Sequence, residues 1–134
     1  MSGEGANSGA PVLLLVEDEA MIRLAVGDHL RECGFLVLEA CDAEEAVEVF
    51  EMGVVVDVLF SDVQMPGAMD GVGLAQWVRT HRPGVAVFLA SGNMGKAYTA
   101  EALCGAVFFR KPYALETVVS AFLAAVRSQG LRSV

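Results

Sequence analysis

The chain has 134 residues, 54% of them hydrophobic, and a formal net charge of −8; its pI is about 4.6 and its mean hydropathy +0.51. That length favours one domain with a single core, and the apolar balance suggests a sheet buried on both faces. The acidity leaves no electrostatic footprint for nucleic acid, and no apolar stretch approaches the ~18 residues of a membrane span.

Residues 1–10 lack a basic start and an apolar centre, and read as a flexible leader rather than a signal peptide. Val12 to Val16 is a continuous apolar run, hence a buried strand, and it ends in Glu17, Asp18 and Glu19. A helix is predicted from Ala20 to Cys33, with Ile22, Val26 and Leu30 as its apolar stripe and Leu24 and Ala25 widening it; Gly34 stops it. Phe35 to Ala40 alternates imperfectly and reads as a strand nearer an edge. Asp42 and Glu45 form a capping-box pattern for a helix running to about Met52, with Ala46, Val49 and Phe50 inward. Val56 to Ser61 reads as the central strand, delivering Asp62 to its carboxyl end before the Met65-Pro66-Gly67 turn. A third helix runs to about Arg82 and presents Leu74, Trp77 and Val78 to the core; Pro83-Gly84 breaks it. Val85 to Ala90 is a fourth strand, ending in Ser91-Gly92-Asn93. Lys96 to Cys104 is a weak, short helix without a strong stripe. Ala106 to Phe109 is a fifth strand, leading to Lys111-Pro112-Tyr113. A last helix runs from about Ala114 to Ser128, and 130–134 is tail.

The three cysteines, Cys33, Cys41 and Cys104, form no metal-binding pattern and read as reduced, mostly buried thiols of a cytosolic protein. His29 and His81 are isolated, and read as surface or helix-end residues rather than metal ligands.

Strands alternating with amphipathic helices imply right-handed βαβ crossovers and a parallel sheet with helices on both faces. In such a sheet Glu17, Asp18, Asp62, Ser91 and Lys111 share one rim, where open α/β sheets place their ligands. Spacing alone leaves the strand order open. Each residue also has a bland reading: the acids as first-turn residues favoured by the helix dipole, and Asp62 or Ser91 as turn and cap residues. The joint placement, each at its own strand's end, outweighs those readings. Three converging carboxylates raise one another's pKa and need positive charge. Lys111 supplies one charge, and a hard divalent cation such as Mg²⁺ suits the rest. Asp62 could then act as a nucleophile toward phosphorus, with Lys111 and the metal neutralising the phosphoryl oxygens and Ser91 donating to another.

The stretches Leu14-Leu15-Val16-Glu17-Asp18-Glu19, Ser61-Asp62-Val63-Gln64-Met65-Pro66-Gly67, Leu89-Ala90-Ser91-Gly92 and Arg110-Lys111-Pro112-Tyr113 resemble, in order and spacing, the four signatures of the bacterial response-regulator receiver domain. The resemblance implies a flavodoxin-like α/β fold, a (βα)5 doubly wound sheet of order 2-1-3-4-5 over residues 11–129. It implies phosphoryl transfer to Asp62 from a histidine kinase or a histidine phosphotransfer protein, and no enzymatic activity beyond self-catalysed transfer and slow autodephosphorylation. It assigns Mg²⁺ to Glu17, Asp18, Asp62 and the main-chain carbonyl of Gln64. Ser91 matches the switch hydroxyl, Lys111 the phosphate-contacting lysine and Phe108 the aromatic switch position. Gln64 and Asn93 match the two positions that govern phosphoryl loss.

Three features depart from the family pattern. The acidic pair is Glu-Asp where Asp-Asp is commonest. The turn from Met65 to Gly71 is one residue longer than the usual form, and the segment from Gly105 to Lys111 is one residue shorter. Phe108 also lacks the hydroxyl of a Tyr.

The resulting expectation is a cytoplasmic, stand-alone signalling protein with no output domain after residue 128. Its partners would meet a phosphorylation-sensitive face of the weak helix, the fifth strand and the last helix. Ala97, Tyr98, Ala121, Ala124 and Ala125 would make that face smooth, and homodimerisation through it is a further expectation. A piece of a longer regulator or hybrid kinase is the alternative context. Two rival classes have specific counter-signals. A small Mg²⁺-dependent phosphohydrolase would carry its nucleophile in a D-x-D at the first strand's end. A flavin- or nucleotide-binding module needs a Gly- or hydroxyl-rich loop there, where this chain has three acids.

Overall fold

The apolar runs form β1 (Val12–Val16), β2 (Leu36–Ala40), β3 (Val58–Asp62), β4 (Ala86–Ser91) and β5 (Val107–Arg110). All pair in parallel, in the order β2-β1-β3-β4-β5 that the resemblance implied. The computed structural model describes residues 9–92 and 105–133, with side chains to residue 129. Most of the leader, Asn93 and the weak helix expected over 96–104, with Ala97, Tyr98 and Cys104, lie outside the described residues. Among those described, the helices are α1 (Ala20–Glu32), α2 (Ala43–Glu51), α3 (Gly71–His81) and α4 (Leu115–Ser133).

Because successive strand residues face opposite sides, the sheet builds two cores. Leu14, Val16, Leu59, Val87 and Leu89 pack with Ala46 and Phe50 of α2 and Leu74 and Val78 of α3. Leu13, Leu15, Val58, Phe60 and Phe88 pack with Val26 and Leu30 of α1 and Val118 and Phe122 of α4. Phe122 is fully buried, with its ring 4.8 Å from Phe88 and 5.1 Å from Phe60. At the opposite end of the sheet Asp57 links three strands. Its Oδ2 accepts from the Val12 N–H at 2.8 Å, its own N–H donates to the Val12 carbonyl, and its carbonyl accepts from Ala86.

Helix ends follow their local chemistry. Asp42 Oδ1 accepts from the Glu45 N–H at 2.8 Å, and Glu45 Oε1 reaches back to the Cys41 N–H at 2.7 Å. The reciprocal half of the capping box thus lands one residue before the cap. Gly34 and Gly53 end α1 and α2 at φ of 101° and 87°, the left-handed region.

Four expectations are corrected. The stripe of α1 is narrower than its sequence suggests: Val26 and Leu30 are buried, but Ile22, Leu24 and Ala25 are exposed. On the same turn the Arg23 guanidinium reaches the sheet edge and pairs with Glu39. The last helix continues to Ser133 instead of giving way to a tail; a single Gly130 weakens a helix without ending it. Ala121 and Ala125 pack half-buried against the second core, leaving Ala124 exposed. Cys33 is exposed at the end of α1 and Cys41 half-buried.

Candidate functional site

Register brings the polar strand ends together. Val16 pairs with Ser61, Asp62 with Ala90, and Ser91 with Arg110. Main-chain bonds continue the ladder onto the rim: the Glu17 N–H donates to Ala40 (3.1 Å), the Val63 N–H to Ala90 (2.9 Å) and the Lys111 N–H to Ser91 (3.0 Å). Lys111 precedes Pro112 through a cis peptide bond.

Lys111 Nζ lies 2.8 Å from Asp62 Oδ1 and 3.8 Å from Glu17 Oε1. Glu17 Oε2 accepts from the Glu19 N–H at 3.1 Å, so this carboxylate does serve the start of α1, as the bland reading held, while its other oxygen faces Lys111. Carboxylate oxygens of Glu17, Asp18 and Asp62 all lie within 4.8 Å of one another. Burial pushes the Asp62 carboxyl above its usual range; Lys111 opposes this, and Asp18 and Glu19 add to it. Burial likewise raises Glu17, against the Glu19 N–H and with the help of the Asp62 charge. Burial pulls Lys111 down, but its close ion pair with Asp62, followed by the Glu17 charge, outweighs it and leaves the ammonium raised. The Tyr113 hydroxyl is also raised by burial; its ring stands 5.7 Å from Phe60, at the edge of the same pocket.

Ser91 is fully buried, and its Oγ donates to the exposed Gln64 Oε1 at 2.8 Å. The hydroxyl is therefore engaged by the loop that follows Asp62. Phe108 lies on β5, half-buried against the α2–α3 core.

The structure adds Gly71, which sequence reasoning passed over as a turn residue. Its N–H donates to the Val63 carbonyl at 2.9 Å. A Cβ there would strike the Asp62 carbonyl oxygen and lie 2.8 Å from Val63 Cα. The first turn of α3 thus rests directly on the main chain that carries Asp62. Asp70, which accepts from the Gly73 N–H at 2.9 Å, marks a helix start. A glycine at the next position was the available signal.

Three clustered carboxylates offer an all-oxygen donor set, the chemistry of a hard divalent cation such as Mg²⁺ rather than of a soft transition metal. Burial is the main reason the Glu17 and Asp62 carboxyls are raised, and the neighbouring acids add to it against the single charge of Lys111.

A doubly wound parallel sheet with an acidic cluster and a lysine at its carboxyl rim defines the class. Residues 13–122 match the response regulator receiver domain family, and the chain belongs to that family. Receiver domains are phosphoacceptor signalling domains of two-component systems that interact with sensor kinases and downstream effectors. The sensor kinase CckA of Brucella abortus is 36% identical over 118 residues, which are 84% of this chain and 12% of CckA. The chain thus spans a small fraction of that relative's length. A receiver domain protein from Clostridium thermocellum superposes with a TM-score of 0.81 at 23% identity, covering 90% of this chain and 98% of that one. The response regulator TrrA from Thermotoga maritima, in complex with Mg²⁺ and BeF, superposes with a TM-score of 0.75 at 22% identity, covering 86% and 98%. At these identities the superpositions speak for the fold. Among the described residues no helix is long and apolar enough to cross a membrane.

Proposed function

We propose that this receiver domain accepts a phosphoryl group on Asp62 from a histidine kinase or histidine phosphotransfer protein, with Mg²⁺, and signals through protein contacts that depend on phosphorylation. The observation that carries the reading is the convergence of Asp62 with Glu17, Asp18 and Lys111. An Asp62 oxygen forms the new bond to phosphorus as the bond from phosphorus to the donor imidazole breaks, and the imidazole leaves with the electron pair. Lys111, already 2.8 Å from Oδ1, neutralises phosphoryl oxygens. Glu17, Asp18, Asp62 and the Gln64 carbonyl would hold Mg²⁺, which supplies the remaining charge neutralisation. Ser91 leaves Gln64 to donate to a phosphoryl oxygen, and Phe108 repacks on β5 as it does so. Gln64 and Asn93 set the lifetime of the phosphorylated state.

The receiver unit is residues 11–129 on this reading, and the protein works in the cytoplasm. Its net charge of −8 favours protein partners over nucleic acid. A second copy of the chain is one candidate partner for the β5–α4 side, where Val107 and Leu123 are exposed. The site is that of a phosphoacceptor rather than of an enzyme that turns over small phosphoesters. Beryllofluoride, a phosphoryl mimic, tests the site by calorimetry. One equivalent should bind in the presence of Mg²⁺ and none to Asp62→Asn; equal binding by both proteins would refute the assignment.

A further inference from the structure

The β1–α1 loop supplies two of the three acids, yet its helix has no side-chain cap: Glu19 occupies the N-cap position without one. Beside the Glu17–Ala40 and Glu19–Glu17 bonds, the side chain of Arg23 holds the loop. Its side chain is only 19% exposed, its Nη1 donates to the Glu17 carbonyl at 2.7 Å, and its Nε donates to Glu39 Oε1 at 3.2 Å. Glu39 is itself fixed on edge strand β2, with Oε2 accepting from Arg31 Nη2 at 2.9 Å. The main chain of Glu17 is thus held at both of its polar groups, its N–H by Ala40 and its carbonyl by Arg23. Both grips lead to β2, an edge strand separated from β3 and Asp62 by β1.

From this arrangement we infer that Arg23 is a positioning residue of the acidic pocket. Its guanidinium ties the Glu17 carbonyl to the Glu39 carboxylate and so sets how well the Glu17–Asp18 loop presents its carboxylates to a divalent cation, without touching that cation. The inference rests on the proposed function, since it takes the acid cluster as a cation site. A planar guanidinium fits this position because it can donate in two directions at once, to a carbonyl and to a carboxylate. An ammonium carries its three donors on one nitrogen and lacks the fixed planar fork that meets these two acceptors from separate nitrogens. The charge is directed at Glu39 and a main-chain oxygen rather than at the carboxylates of the three acids.

The test compares Arg23→Ala, Arg23→Lys and Glu39→Gln with the wild type, using Mg²⁺ alone as the probe. Calorimetry should show Mg²⁺ binding about tenfold weaker in Arg23→Ala, as for other partners that orient metal ligands, with a smaller loss in Arg23→Lys and in Glu39→Gln. In metal-free protein, the Glu17 and Glu19 amide protons of Arg23→Ala should exchange at least about tenfold faster, while those of Leu14 and Leu59 in the sheet should not change. Wild-type Mg²⁺ affinity and wild-type exchange at Glu17 and Glu19 in a folded Arg23→Ala would overturn the inference. Faster exchange throughout the sheet would also overturn it, by showing a role in global stability alone; Glu39→Gln, which keeps the Arg23 to Glu17 bond, remains as the milder variant if Arg23→Ala fails to fold. No Mg²⁺ binding by the wild type would instead refute the cation site itself, and the inference with it.

Discussion

Gly71→Ala is the sharpest probe of how the fold holds Asp62. The added methyl meets main chain on two sides, the Asp62 carbonyl group and Val63 Cα at 2.8 Å, and no rotamer can relieve it. Either α3 lifts off the loop, losing the 2.9 Å bond from the Gly71 N–H to Val63, or the Asp62 peptide shifts. Overpacking of this kind costs about 1–3 kcal/mol, and the gain in helix propensity from Gly to Ala offsets at most ~1 kcal/mol. We expect a net loss of about 1–2 kcal/mol, which lowers the urea midpoint by roughly 0.5–1 M for a domain of this size. Displacing the acceptor should also slow phosphoryl uptake from a small donor by about tenfold or more. Gly73→Ala is the comparison: its Cβ would meet Met69 Cγ at 2.9 Å, a side-chain atom that a χ1 rotation can move where main chain cannot, so its loss of stability should be smaller than that of Gly71→Ala. A Gly71→Ala protein with wild-type midpoint and wild-type uptake would refute the close-packing argument.

Glu17 and Asp62 both have folded-state carboxyls raised above their ordinary values of 4.5 and 3.8. The native state therefore binds protons that the unfolded chain releases. Metal-free protein should gain stability as pH falls through the raised values, with the gain complete below the ordinary ones and lost again as pH rises; urea melts at a series of pH values should show a smaller slope for Asp62→Asn. Lys111→Ala removes the 2.8 Å partner of Asp62 and should lower metal-free stability at neutral pH by about 1–3 kcal/mol. It should still permit phosphorylation while weakening the response of β5, read from amide shifts with the phosphoryl mimic. Phe122→Ala empties the centre of the second core and should cost about 3–5 kcal/mol by urea unfolding.

Much of the fold was legible because each element carries its own signal. Continuous apolar runs mark buried parallel strands, Asp42 marks a helix start, and Gly34 marks a helix stop. The candidate site was legible for the same reason: Asp62 and Ser91 end apolar runs, and Lys111 interrupts one. Contacts between elements were not. Arg23 lies one residue past Ile22 on a helical stripe, and nothing in local periodicity reveals that the arginine turns inward while Ile22, Leu24 and Ala25 turn out. The close approach of Gly71 to Asp62 joins two elements across a turn, and the bond from Ser91 to Gln64 spans 27 residues of sequence. Ala121 and Ala125 read as a smooth surface because alanine suits a buried helix face and an exposed one equally; only the placement of the second core distinguishes them.

The measurement closest to the central claim is intact mass after incubation with acetyl phosphate and Mg²⁺, for wild type and Asp62→Asn side by side. The account predicts one phosphoryl group on the wild type, none on the variant, and none on either when EDTA removes the metal. Incorporation that persists in Asp62→Asn or in EDTA would contradict it, as would a wild type that neither takes up a phosphoryl group nor binds Mg²⁺.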